Sequence, residues 1–237
     1  MRSAERHQLK QDQFAVKTQE TIDWASAHQN ALLYWTLAVV VIVALGVGGF
    51  YYQQRREQAA SVLLGEAIEQ YSAPIVPAGT PATPGYPSFY STAERAKAAS
   101  QKFADVSDKY SHTDAGTLAK YFLGLTYEDL NDNTRAEQQL KEAVSAGNKD
   151  TAALAKAALA SLYENTGREQ DAINEYKELV DKPANTVPKS TAQLKLAELY
   201  QAKNPVEAKK IYADIIKDKD SPEAAVKEAN ARMLAPK

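Results

Sequence analysis

The chain has 237 residues, 28 basic and 30 acidic, a formal net charge of −2 at pH 7 and no cysteine. No cationic excess is available to neutralise phosphates, so a nucleic-acid role has no electrostatic footing. The absence of cysteine excludes disulfides, a thiol nucleophile, a cysteine-ligated metal and a lipidated cysteine, and abundant Ala, Leu, Lys, Glu and Gln favour helix.

Residues 1–30 form a polar tail in which Arg2, Arg6, Lys10 and Lys17 balance Glu5, Asp12, Glu20 and Asp23. A helix is expected from Gln8 to Gln29, with His7 and His28 read as solvated. Residues 31–52, ALLYWTLAVVVIVALGVGGFYY, carry no charge and reach the length a helix needs to cross a bilayer core. Tyr34 and Trp35 precede the apolar run and Phe50, Tyr51 and Tyr52 close it, the placement expected at two membrane interfaces. A cleaved signal peptide would have a shorter apolar core and a small-residue cleavage site. This run ends in Phe50-Tyr51-Tyr52-Gln53, so an anchor that stays is expected. Ala44 and Gly48, four residues apart, offer a small-residue contact face through which the chain could form a homo-oligomer. Lys17 lies on one side of the span and Arg55 and Arg56 on the other, too small a bias for flanking charge to fix orientation.

Residues 53–71 continue without a helix breaker, so the span is expected to extend as a rod into the first helix of the array. Residues 72–88 hold five of the ten prolines, Pro74, Pro77, Pro81, Pro84 and Pro87, which no helix can traverse. The stretch is a spacer loop or, alternatively, a proline-rich ligand. Helix is expected again from Phe89 to Tyr110, burying Ala96, Ala99, Phe103, Val106 and Tyr110, and His112 is a bystander in the turn that follows.

From residue 117 onward three segments superpose. Leu123-Gly124, Tyr127, Ala136, Leu140 and Ala143 correspond to Leu159-Ala160, Tyr163, Ala172, Tyr176 and Leu179, then to Leu196-Ala197, Tyr200, Ala208, Tyr212 and Ile215. Leu123, Leu159 and Leu196 are 36 and 37 residues apart. Ala99, Phe103 and Val106 supply the second half of an earlier copy, whose first half would be 53–71 with Leu64-Gly65 at the crossing. A small residue beside a leucine lets two helices approach, and the tyrosine one turn later fills the space beside them. Thr134 with Glu137 reads as a capping box, Asn204-Pro205 as an N-cap followed by proline at N1, and Ser221-Pro222 as the same device opening a capping helix. The expected fold is therefore all-α: one transmembrane helix, then over 89–237 an α-solenoid of degenerate tetratricopeptide-like helix pairs closed by a C-terminal helix.

This layout, a tail, one span, a helix running on from it, an A-x-x-x-F helix and degenerate pairs, resembles the bacterial membrane-anchored tetratricopeptide-like family that includes the ancillary subunit of the Sec translocon. The resemblance implies a bacterial inner-membrane protein with a periplasmic repeat domain that binds protein partners near the translocon, alongside membrane-bound chaperones. In such stacks the first helix of each pair lines the concave side. The positions that map there are Leu118, Tyr121, Leu125 and Glu128, then Leu154, Ala157, Ser161 and Asn165, then Thr191, Leu194 and Glu198. For any one of the leucines, a plain core role is the competing reading. The lysines and asparagines that clamp a terminal carboxylate in some tetratricopeptide proteins are absent from these positions.

No catalytic motif, phosphate loop or dinucleotide fingerprint occurs, and the acidic pairs Glu128-Asp129 and Asp218, Asp220 read as surface charge. Neither enzyme activity nor a cofactor or metal is expected. Two functions remain: a membrane-anchored protein-binding module, or an assembly scaffold that acts through its own oligomerisation.

Overall fold

The computed structural model describes Trp24, residues 26–80 and residues 85–234. The tail expected over 1–30 lies outside the described residues as far as residue 23, as do Pro81, Pro84 and residues 235–237. Among the described residues there are nine helices and no strand. They are α1 (Gln29–Tyr71), α2 (Thr92–Lys109), α3 (Asp114–Asp129), α4 (Asn133–Ala146), α5 (Lys149–Asn165), α6 (Glu169–Asp181), α7 (Lys189–Lys203), α8 (Pro205–Lys217) and α9 (Glu223–Leu234).

The chain divides into two units, Met1–Gln54 and Arg55–Lys237. The apolar stretch of α1 belongs to the first; the helix is long and apolar enough to cross a membrane, and none of that stretch is buried. Ile42 and Leu45 expose 68% and 71% of their surface, which water would not tolerate along a whole helix.

In the second unit, successive helices pack antiparallel to one another, α3 on α4, α5 on α6 and α7 on α8, and each pair packs on the next. The second helices are two-faced: α4 buries Ala136, Leu140 and Ala143, α6 buries Ala172, Ile173, Tyr176 and Leu179, and α8 buries Ala208, Ile211, Tyr212 and Ile215. That spacing puts each set on one stripe of a 3.6-residue helix, whose burial drives the pair together. The first helices are buried on more than one side, because each lies between its own partner and the neighbouring pair.

At the crossing of α3 and α4 the backbones come so close that a Cβ on Gly124 would stand 2.6 Å from Leu140 Cγ. Ala160 and Ala197, the equivalent residues of α5 and α7, expose no surface. The earliest pair does not follow this register. Gly65 is exposed with nothing near its missing Cβ, and the small residues that seat α1 in the core are Ala60 and Ala67. The expectation that Leu64-Gly65 forms the crossing fails at the glycine, while Leu64 itself is buried.

The turns repeat as well. After α3 the amide of Asp132 donates to the carbonyl of Tyr127, and after α5 that of Arg168 donates to Tyr163, at 2.8 and 2.7 Å. Each turn passes through the left-handed region, Asn131 at φ 58° and Gly167 at φ 75°. Asparagine and glycine tolerate that conformation where other residues pay a steric cost. The α7–α8 turn is two residues shorter and instead uses Asn204, whose side chain accepts from the Glu207 amide, with Pro205 at the first helical position. Ahead of α4 the capping residue is Asp132, accepting from the Arg135 amide, so the Thr134–Glu137 box does not form. Thr134 already lies inside α4, and Glu137 is drawn across to the next pair. Pro222 precedes α9 and its carbonyl accepts from Val226, so this proline stands at the cap itself rather than at the first helical position.

Between α1 and α2 the proline-rich segment forms a closed loop. Val76 donates to the Phe89 carbonyl at 2.8 Å and Phe89 to the Pro74 carbonyl at 3.1 Å, so the loop leaves and re-enters at one point. Helix α2 begins after Ser91, three residues later than expected. Ser91 accepts from the Glu94 amide, and Glu94 accepts from the Tyr90 amide, a reciprocal arrangement that holds the start in place.

Two cores result. One collects Ala60, Leu64 and Ala67 of α1 with Ala99, Phe103 and Val106 of α2 and Ala119 and Leu123 of α3. The other runs from Ala136 of α4 to Ala229 of α9. Phe103 stacks on Phe122 at 5.2 Å, and Tyr71 meets both rings edge-on.

Candidate partner-binding face

Helix α3 packs directly on α5 and α7 on α9, while no comparable packing joins α4 to α6 or α6 to α8 among the described residues. First helices thus meet across pairs at α3–α5 and, with the closing helix, at α7–α9, though not comparably at α5–α7. We designate the first helices the inner layer and the second helices the outer one.

The inner layer carries the residues that the sequence nominated. Leu118, Tyr121, Leu154 and Leu194 are half-buried, each resting on one of the two cores. Leu125 is also half-buried but belongs to neither core. Ala157 is half-buried, and Ser161, Asn165, Thr191 and Glu198 are exposed. Asn165 donates to Glu128 at 3.1 Å, tying α5 to α3, and Arg232 approaches Glu198 at 3.7 Å, linking α9 to α7. The repeat residues Gly124, Ala136, Ala160, Tyr163, Ala172, Ala197 and Ala208 are buried, whereas Tyr127 and Tyr200 are half-buried.

Each repeat tyrosine lies under a cation: Arg135 over Tyr127 at 4.6 Å, Arg168 over Tyr163 at 4.1 Å and Lys177 over Tyr200 at 5.9 Å. Sequence spacing alone did not single out these cations, although the first two sit at the starts of the second helices α4 and α6, where the ring of the preceding helix end is within reach. Glu137 is a junction between pairs, accepting from Lys141 at 2.6 Å, Arg168 at 2.7 Å and Tyr163 at 3.0 Å. Partial burial works against its ionisation, but these three donors outweigh that and hold its carboxyl at about 2. Burial raises the Tyr176 hydroxyl well above its usual range, reinforced by its 2.7 Å donation to Glu164. Burial raises Tyr71 in the same way, with the neighbouring Asp129 carboxylate adding to it.

On the flanks an ion pair recurs, Lys120 with Glu142 at 3.0 Å and Lys156 with Glu178 one repeat later. A cleft of about 750 Å³ lies between α1 and α2, lined by Leu63, Glu66, Lys102, Asp105, Val106, Asp108 and Lys109. Its lining charges are of both signs, Glu66, Asp105 and Asp108 beside Lys102 and Lys109. No group of three potential metal ligands occurs among the described residues.

A stack of antiparallel helix pairs closed by a final helix defines an α-solenoid, the class of fold that presents extended surfaces to other proteins. The chain belongs to the tetratricopeptide repeat-like family: the model of the tetratricopeptide repeat-like domain matches residues 23–226. No curated protein and no solved structure matches the chain.

Proposed function

We propose that this protein is a non-enzymatic, membrane-anchored binding module. The apolar part of α1 holds it in a bacterial inner membrane, the repeat domain faces the periplasm, and the inner layer receives protein partners beside the Sec translocon, chaperones among them. The observation that carries the binding role is the inner layer itself. Leu125 is half-buried without joining either core, and Ala157 and Ser161 on the adjacent helix leave room for a partner's side chains. The place near the translocon rests on the resemblance in layout.

Photo-crosslinking in intact membranes tests the binding role. A benzophenone amino acid at Leu125 or Ser161 is expected to give discrete protein adducts, and one at Lys209, exposed on α8, is expected to give none. Adducts that are absent from the inner positions, or identical at Lys209, would remove the inner layer as the binding face. Reporters fused at Met1 and Lys237 test the orientation: a cytoplasmic Lys237 eliminates the periplasmic placement while leaving the binding face untouched.

A further inference from the structure

The inner layer has a floor and an edge of different chemistry. The floor is the row of Leu125, Ala157 and Leu194, apolar and partly open. The edge lies at the C-terminal ends of α3 and α5 and carries Glu128 and Glu164, with Glu198 of α7 more than a turn before the end of its helix.

Glu128 and Glu164 are not neutralised from within. Glu128 accepts from the Asn165 amide and Glu164 from the Tyr176 hydroxyl, bonds that bring no positive charge. Among the described residues no Lys or Arg forms an ion pair with Glu128 or Glu164. Glu198 meets Lys195 at 3.5 Å and Arg232 at 3.7 Å, both loose contacts. The lysines of α3 and α5 that could have served, Lys120 and Lys156, are engaged on the flanks by Glu142 and Glu178.

From this complementarity we infer that the inner face takes a basic amphipathic segment of a partner protein, its apolar side chains on the floor and its Lys or Arg side chains along the carboxylate edge. This rests on the binding reading given above. An acidic segment would set like charges against one another, and a wholly apolar one would strip water from the carboxylates without replacing it. A basic segment meets both surfaces at once, as amphipathic helices do when laid in grooves.

The test uses the full chain in a non-ionic detergent and two labelled probe peptides of about eighteen residues, five helical turns. Both carry the same leucine stripe, one with lysines and the other with glutamates on the polar face. The lysine peptide is expected to bind, and more weakly as salt rises. Glu128→Gln, Glu164→Gln and Glu198→Gln together are expected to lower its affinity about tenfold, at roughly twofold to threefold for each edge charge. Glutamine keeps the acceptor for Asn165 and Tyr176, and matched thermal melts confirm folding. If the triple variant melts early, E128Q and E164Q are read singly.

Equal or tighter binding of the glutamate peptide overturns the inference, as does unchanged binding of the lysine peptide to the variants. So does failure of both peptides. If crosslinks at Ser161 persist in any of those cases, the binding face stands and only the charge of its partner is wrong. Lysine-peptide binding that Leu125→Asp does not weaken places the basic segment elsewhere and also overturns it.

Discussion

The first helix pair of the second unit and the three pairs that follow reach the same packing by different means. In α3 to α8 the geometry is local. A glycine or alanine sets each crossing, a turn of a few residues sets each angle, and a tyrosine under a cation closes each end. The pair built from the end of α1 and from α2 shares the small residues, Ala60 and Ala67, and the cation, Arg95 over Tyr71 at 5.5 Å, but has neither the glycine contact nor the short turn. Its glycine points at solvent, and its two helices are joined by a long proline-rich loop. It is held by contacts distant in sequence. Arg56 donates to the Lys109 carbonyl and lies over the Tyr110 ring, and Arg95 reaches the Ala73 carbonyl at 3.3 Å. Glu57 accepts from the amides of Asp114 and Ala115 at 2.8 and 3.0 Å, capping the start of α3 from another helix. A repeat can thus lose its local signature and keep its place in the stack, provided that long-range polar contacts and a shared aromatic core replace it.

The largest expected effect comes from that core. Phe103 exposes no surface, and Phe103→Ala is expected to cost about 3–5 kcal/mol. Amide exchange should then accelerate across residues 55–71 and α2 while α5 to α8 stay protected. Uniform acceleration would show that the two cores melt as one. Next is Gly124→Ala, whose new methyl would press on Leu140 and is expected to cost about 1–3 kcal/mol in denaturant titration. Glu57→Gln removes the charge at the start of α3 and is expected to cost about 1 kcal/mol, with the change concentrated in the exchange of residues 114–117. Gly65→Ala runs the other way. The site is open and mid-helix, so a gain of about 0.5–1 kcal/mol is expected. A loss there would mean that Gly65 packs as Gly124 does, and the contrast between the pairs would disappear.

The smallest effect is a pH dependence. Glu137 is lowered from 4.5 to about 2 on folding. Its contribution is complete above about pH 4.5 and is lost as pH falls towards 2, because the unfolded chain takes up the proton first. Denaturant midpoints measured across that window should fall less steeply for Glu137→Gln than for the unchanged chain. Identical slopes would remove Glu137 as an acid-sensitive link between the second and third pairs.

Much of this architecture is legible in the chain itself. The uncharged run before Gln53, the apolar stripes and the recurrence of Leu, a small residue and Tyr at 36 or 37 positions are one-dimensional patterns, since helices bury stripes of fixed period. The inner-layer positions follow from that register once the repeat is recognised. Other features leave no such trace. Gly116 looks unremarkable in the sequence, yet a Cβ there would lie 1.9 Å from the Tyr110 carbonyl oxygen. Thr134 and Glu137 have the spacing of a capping box, but Asp132 is better placed for the cap, and Glu137 finds stronger donors in the next pair.

What the sequence determined alone is therefore the class of the fold: an apolar helix and a helical repeat, because periodicity and length are properties of a single strand of residues. What the tertiary structure decided is which small residue permits a close approach, which carboxylate caps a foreign helix, and which acids along the inner edge are left without a cation. Those depend on distances between residues far apart in the chain, and only packing sets such distances.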